Sequence, residues 1–401
     1  MKTSFARNAI VLGLISAVGP FAIDMYLPAL PSIAADLHAS TSATQMSLIA
    51  FFAAVAVCQI IYGPVSDIFG RRNPLYFGLA LYAAGSVGCA LAPTVGWLIV
   101  FRFVQGVGAC AGMTIPRAIV RDLHTGHEAT RLMSLIMLVF SVSPILAPLV
   151  GSTLISFVGW RAIFVTVAVI AVLAVGLVAL VLPETRPPEA RLASGVGSAL
   201  RGYAFLLRDR HFLGLTFVGG LGMSSFFAFL ANSSFVYIDH FGLTPFVYGF
   251  AFSVNAVAFI GMAQTTSYLG RRLGLVRVIR FATACYAVIA CVLLAITLAG
   301  VDSLPVLMSL LFVGFGSLGT VIPSTMVLAL EEHGPIAGTA AALAGTLQLV
   351  VGAVVIVLSS VFFDGTPLTM VVAIAVCAIG AFAVARLTLD RRDEAVTMAA
   401  E

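Results

Sequence analysis

Runs of about twenty apolar residues, each closed by a short polar segment, recur from one end of the chain to the other. Twelve fall near 8–28, 44–63, 74–92, 97–119, 131–157, 161–182, 212–236, 246–267, 275–299, 304–330, 336–362 and 366–387. A helix of about 20 residues crosses a hydrocarbon layer of roughly 30 Å, so each run predicts one membrane span. The runs are continuous rather than alternating, unlike barrel strands of about 9–11 residues. The first, from Asn8, is too long for a signal-peptide core and is followed by Pro28 and Pro31, so it is expected to be retained as a span.

Composition agrees. Of 401 residues, 61% are hydrophobic and 9% charged, with mean hydropathy +1.10. Soluble domains carry about 25% charged residues. An aqueous surface cannot be built from this chain, which excludes a soluble enzyme and a nucleic-acid binder. The net charge of +4 conceals a sorting: twelve crossings put nineteen Lys and Arg residues on the side of both termini and Arg161 alone opposite. That bias predicts cytoplasmic termini in a cell inner (plasma) membrane. Trp97 and Trp160 are expected at the outer boundary, where amphipathic rings favour the headgroup layer. The six cysteines lie in apolar runs without metal-ligand spacing, and the six histidines lie in loops or at span ends, so no metal site or cofactor is expected.

The longest polar stretch divides the chain into an N-terminal six-helix bundle (1–182), a central loop (183–211), a C-terminal six-helix bundle (212–388) and a tail (389–401). Gly70-Arg71-Arg72 follows the second span, and Gly270-Arg271-Arg272 follows the eighth. Six spans return the chain to its starting side. The halves are therefore expected to be parallel repeats about a pseudo-two-fold along the membrane normal, with a midplane site alternately exposed to each face.

Charged side chains in the hydrocarbon are costly and so informative. Asp24, in span 1, is the one acid well inside a run, and Arg102 is the arginine clearly inside span 4. Both should lie roughly 6–8 Å from the outer end of their helices at about 1.5 Å per residue, close enough to meet directly or through one water or polar group. Asp24 is thus the candidate proton carrier and Arg102 the modulator of its protonation; a static ion pair is the alternative. Pro20 is expected to bend span 1 just before Asp24, and Pro144, Pro148 and Gly151 to bend span 5. Weaker candidates for a substrate cavity are Tyr26, Gln45, Gln59, Asn232, Tyr237, Asn255, Gln264 and Gln348, since interhelical hydrogen bonding explains most such residues.

These residues carry a resemblance. Gly63-Pro64-Val65-Ser66-Asp67-Ile68-Phe69-Gly70-Arg71-Arg72 resembles the loop 2–3 motif of the major facilitator superfamily, and Arg102-Phe103-Val104-Gln105-Gly106-Val107-Gly108 its span 4 motif. The span 5 prolines resemble the antiporter motif, with Ala147 and Ser152 where glycines are usual. Ile23-Asp24-Met25-Tyr26-Leu27-Pro28-Ala29-Leu30-Pro31 is similar to the first span of the Bcr/CflA drug-resistance subfamily; Arg121-Asp122, Pro183-Glu184-Thr185, Phe235-Val236-Tyr237 and Ala337-Gly338-Thr339 also fit it. The resemblance implies a twelve-helix exporter of amphipathic drugs or related small molecules, driven by the proton gradient. It also implies a cytoplasmic latch built on Gly63, Asp67, Gly70, Arg71, Arg72, Arg117 and Arg121, with Asp67 pairing with Arg117 or Arg121 and facing the start of span 11 near Gly334-Pro335.

The expected partners are a small-molecule substrate, protons and the bilayer, with a functional monomer. A metabolite exporter or symporter is the alternative within transport, although few embedded polar groups suit sugar recognition. A membrane hydrolase lacks an embedded nucleophile–base pair, and two-half organisation disfavours a channel.

Overall fold

The computed structural model describes residues 5–124, 126–186 and 196–400. Lys2, Pro187, Pro188 and Arg191, which entered the charge and loop arguments, lie outside them. Every regular element among the described residues is helical.

The chain divides into two compact units, Met1–Ala199 with Leu243–Ser253, and Leu200–Gly242 with Val254–Glu401. The first contains α1 (Phe5–Asp24), α2 (Leu30–Asp36), α3 (Thr41–Phe69), α4 (Arg72–Ala90), α5 (Val95–Leu123), α6 (Gly126–Val158) and α7 (Arg161–Val181). A short helix, α8 (Val196–Leu206), leads into α9 (Arg210–Ser234) of the second unit. There follow α10 (Pro245–Leu273), α11 (Leu275–Leu298), α12 (Leu304–Glu331), α13 (Ala337–Val361) and α14 (Pro367–Ala400). Among the described residues, eleven segments are long and apolar enough to cross a membrane. The twelfth spanning helix, α4, opens on Arg72-Asn73-Pro74, which lowers its hydropathy; its 19 residues still reach about 28 Å.

Two expectations change. The first span is longer than 8–28, running Phe5–Asp36, and it is interrupted. The α-helix continues through Pro20 and stops at Asp24; a 3-10 turn at Leu27–Ala29 joins it to α2. Pro28 explains the position of the break. It has no amide to return to the Asp24 carbonyl, so the helix cannot propagate past the acid. The interruption follows Asp24, and Pro20 lies within the continuous helix before it. Similarly, α6 remains α-helical through Pro144 and Pro148. The second change concerns the division of the chain: the border falls at Ala199–Leu200, and α10 up to Ser253 groups with the first unit. There the Ser253 hydroxyl donates to the Ile145 carbonyl (2.7 Å), and Gly249 lies against Pro148 and Ser152.

Each unit repeats one packing scheme. In the first, α1 packs on α5, α6 and α7, and α4 on α5 and α7. In the second, α9 packs on α12, α13 and α14, and α11 on α12 and α14. Without a hydrophobic force between helices in lipid, close backbone approach supplies the attraction, and it needs small residues at the contact. Gly106 on α5 faces the Phe51 carbonyl of α3, where an added Cβ would stand 2.6 Å from the oxygen; Gly319 on α12 faces the Phe259 carbonyl of α10 in the same way. A phenylalanine at the entry of each unit meets a histidine edge-on: Phe5 with His124 (5.8 Å) and Phe205 with His333 (6.1 Å).

At the far end of the first unit, Asp36 accepts from Arg161 (2.6 Å) and from the Trp160 indole (3.1 Å). Trp160 is buried by this arrangement, while Trp97 is exposed as expected of a boundary ring.

Gly106→Ala and Gly319→Ala should each cost about 1–3 kcal/mol through overpacking. Gly176→Ala, with open space at its Cβ, should be neutral or stabilise by about 0.5–1 kcal/mol. Thermal unfolding in detergent of the three variants reads the contrast.

Candidate functional site

Arg102 is completely buried in α5, yet it has no ion pair with a carboxylate among the described residues. Its Nη1 donates to the Gln105 amide oxygen (2.6 Å) and to the Ala22 carbonyl (3.3 Å). The guanidinium carbon stands 4.4 Å from the Tyr26 ring centroid, 4.5 Å from Phe51 and 5.9 Å from Phe164. A desolvated cation over an aromatic face gains about 2 kcal/mol or more, and three rings share this one. Nε and Nη2 have no hydrogen-bond partner among the described contacts, so two of its three nitrogens keep donor capacity in reserve.

The cage is held by hydrogen bonds and close packing. The Tyr26 hydroxyl pairs with Ser47 (2.6 Å). Gln105 donates through Nε2 to Ser86 (2.8 Å), whose hydroxyl donates to the Tyr82 carbonyl (2.7 Å); the Tyr82 hydroxyl in turn donates to the Val18 carbonyl (3.0 Å). Gly85 lets α4 approach α5 closely enough for this relay, because a Cβ there would lie 2.7 Å from the Gln105 nitrogen.

Asp24 ends α1 and is 5% exposed. Its Oδ2 accepts a hydrogen bond of 2.9 Å from Ser143, the residue before Pro144 on α6. Asp24 and Arg102 do not pair directly among the described contacts. Arg102 reaches the carbonyl of Ala22, so the depth estimate is sound. However, residues two apart on a helix point to nearly opposite faces, and Asp24 turns to α6 while Arg102 stays with the rings. Gly151 contributes close approach: the Met25 carbonyl, in the interrupted segment, packs directly onto it. The span 5 motif thus seats the break in span 1 through Ser143 and Gly151.

A second charged cluster lies at the α3–α4 turn. Gly70 adopts φ +85°, a conformation other residues rarely take, and redirects the chain after α3. Arg71 is then buried with its Nε and Nη2 on Asp122 (2.7 and 3.3 Å) and its Nη1 on Ser66 (2.7 Å) and Asp67 (2.8 Å). Its backbone N–H and that of Arg72 donate to Glu184 (2.9 and 3.2 Å), a carboxylate placed at the start of α4 where the helix dipole favours it. Thr185 donates to Asp122, and Arg186 donates to the Asp67 carbonyl and pairs with its carboxylate at 3.4 Å. The expected pairing of Asp67 with Arg117 or Arg121 is therefore corrected: Arg71 and Arg186 take it. Arg71 is nearer in sequence and emerges from the same turn, whereas Arg117 stacks on Phe140 (5.2 Å) and Arg121 is exposed. Asp122, Glu184 and Arg186 gained no role from sequence, although two of them stood within quoted motifs. Gly63 has open space around it.

The remaining polar candidates separate by unit. In the first, Gln45 is buried and Gln59 half-buried. In the second, Asn232 donates to the Ala228 carbonyl (2.8 Å) and to Ser359 (3.2 Å). Tyr237 lies in a π-helical turn, Phe235–His240, and is fully buried, as is Asn255. Gln348 lies over Gly219 and Gly220, and Gln264 is exposed. The widened turn that displaces Tyr237 from an α-helical register has no periodicity signal and was not predictable from composition.

Arg71→Ala removes the arginine partner of the mostly buried Asp122 and should cost about 3 kcal/mol, as loss of one partner of a buried pair does. Asp67→Asn should cost less than about 1 kcal/mol, since that carboxylate is over a third exposed. Thermal unfolding in detergent reads the contrast.

Comparison with known proteins agrees with this architecture. The family model described as Major Facilitator Superfamily matches residues 12–357. The chain is 38% identical over 349 residues to an uncharacterized MFS-type transporter of Bacillus subtilis, covering 86% of this chain and 87% of the relative. It is 30% identical over 345 residues to a bicyclomycin resistance protein homolog of Haemophilus influenzae, covering 86% of each. Among solved structures, a peptide transporter superposes with a TM-score of 0.74 at 15% identity, covering 96% of this chain and 94% of that one, a likeness of fold alone. With the span 1 motif around Asp24 and the loop 2–3 motif around Arg71 both in place, the chain belongs to the major facilitator superfamily, in its Bcr/CflA subfamily, and is a transporter rather than an enzyme.

Proposed function

We propose that the protein exports amphipathic drugs or related small molecules in exchange for protons, with Asp24 as the proton carrier. The observation that carries this reading is burial: among the described residues Asp24 is the one buried acid. A lone carboxylate in the spans can shed its charge by binding a proton, and no other buried group can do so as readily. The relative named for bicyclomycin resistance supports a drug-like substrate.

The surroundings of Asp24 suit such a carrier. Ser143 donates to the ionised carboxylate and can accept from the protonated one, so either state retains a hydrogen bond. The interrupted backbone at Met25–Ala29 gives the acid a neighbourhood able to rearrange without breaking a continuous helix. Arg102 keeps a positive charge close to the end of α1 without neutralising Asp24, so that charge acts differently on the ionised and protonated states. The nineteen-to-one sorting of lysine and arginine supports an inner-membrane protein with cytoplasmic termini.

One carboxylate supports one proton per cycle. An inward proton delivers about 2.3 kcal/mol per 100 mV and about 1.4 kcal/mol per pH unit. With about 100 mV and half a pH unit, a neutral substrate would reach a gradient of order 10²-fold. A monocation exchanged one for one would feel only the pH term.

Proteoliposomes test both points. Asp24→Asn should abolish substrate-dependent proton flux while leaving the purified protein as heat-stable as the parent; unchanged flux would remove Asp24 from the mechanism. Imposing a membrane potential should accelerate export of a neutral drug and leave that of a monocation unaltered. Strongly potential-driven export of the monocation would overturn the single-carrier stoichiometry.

A further inference from the structure

The helix α8 is not required to cross the membrane and carries no part of the sites above. Its final turns are nonetheless fixed on the second unit. Leu206 is fully buried, Gly202 lies against Thr339 at the start of α13, and Phe205 meets His333 edge-on. His333 also pairs with Asp209 (3.0 Å), which caps α9 by accepting from the backbone N–H groups of His211 and Phe212. Only Leu207–Asp209 separate α8 from a spanning helix, so α8 lies at the membrane boundary on the side of the termini.

The outward surface of α8 and of the turn that follows it is unusual for water. Leu200, Phe205 and Leu207 are 61%, 60% and 49% exposed. Between them the exposed guanidinium groups of Arg201 and Arg208 have neither an ion pair nor a hydrogen bond among the described contacts. A helix at the interface with apolar side chains to insert and basic groups among them binds bilayers whose lipids are anionic. An unpaired guanidinium matches a phosphodiester in both charge and fork geometry.

We infer that α8 is an interfacial anchor for anionic phospholipid: Leu200, Phe205 and Leu207 enter the acyl boundary, and Arg201 and Arg208 hold lipid phosphates. The site is distinct from the proton and substrate machinery and does not depend on the transported molecule.

The test uses the full chain in nanodiscs. Phe205→Trp, read as the difference from the parent's emission, should be blue-shifted and quenched by phospholipid brominated near the top of its chains. Water-like emission without quenching would overturn insertion. In detergent, phosphatidylglycerol should raise the unfolding temperature of the parent more than phosphatidylcholine does. Each arginine near a charged surface contributes about fivefold, so Arg201→Gln with Arg208→Gln should weaken the apparent phosphatidylglycerol affinity about 25-fold, and the double Lys variant should restore most of it. Equal affinity of the Gln variant and the parent would overturn the phosphate contact, as would an equal response to the zwitterionic lipid.

Discussion

A guanidinium with no carboxylate partner lies at the centre of the first unit, and five helices are arranged around it. Arg102 on α5 is met by the Ala22 carbonyl of α1, by Tyr26 just beyond it, by Phe51 of α3 and by Phe164 of α7, while α4 supports Gln105 through Ser86. Removing a charge from water costs several kcal/mol even after relaxation. Here rings and a backbone oxygen offset that cost in place of an acid. The consequence is that Asp24 is left without an arginine among its described contacts, which is what the proposed proton carrier needs.

The same economy of charge governs the ends of the helices. In hydrocarbon every backbone polar group must be satisfied internally, so breaks are tolerated only where protein covers them. The break after Asp24 is covered by Gly151 and Ser143, and the reversal at Gly70 is covered by Glu184 on the new helix start. Arg71 then joins Asp67, Asp122 and Ser66 into one network that ties the α3–α4 turn to the ends of α5 and α7. The two clusters thus brace different sets of helix ends and faces within the first unit.

The fold was largely legible in the sequence because a bilayer imposes a simple rule on composition: long apolar runs become helices, and charge collects in the turns. The spans, the special status of Asp24 and Arg102, and the shared depth of their helices followed from that rule. The partners did not. Ser143 is one of many serines, and nothing local marks it as the residue that meets Asp24. Glu184 lies 113 positions from Arg71, and the preference of Asp67 for Arg71 and Arg186 over Arg117 depends on how a turn is aimed. Pro20, a sound prediction of a bend, proved compatible with continued helix, whereas Pro28 ended it.

By itself, then, the sequence determined the medium, the number of crossings and which buried charges are exceptional, because these depend on transfer energies that each residue carries with it. The tertiary structure decided which groups answer those charges. A buried cation can be balanced by an acid, a carbonyl or a ring, and the choice depends on helix rotation and separations of a few ångströms. Here rotation sends Asp24 to Ser143 and leaves Arg102 to Tyr26 and Phe51, although the depths of Asp24 and Arg102 in the chain place them within reach of one another.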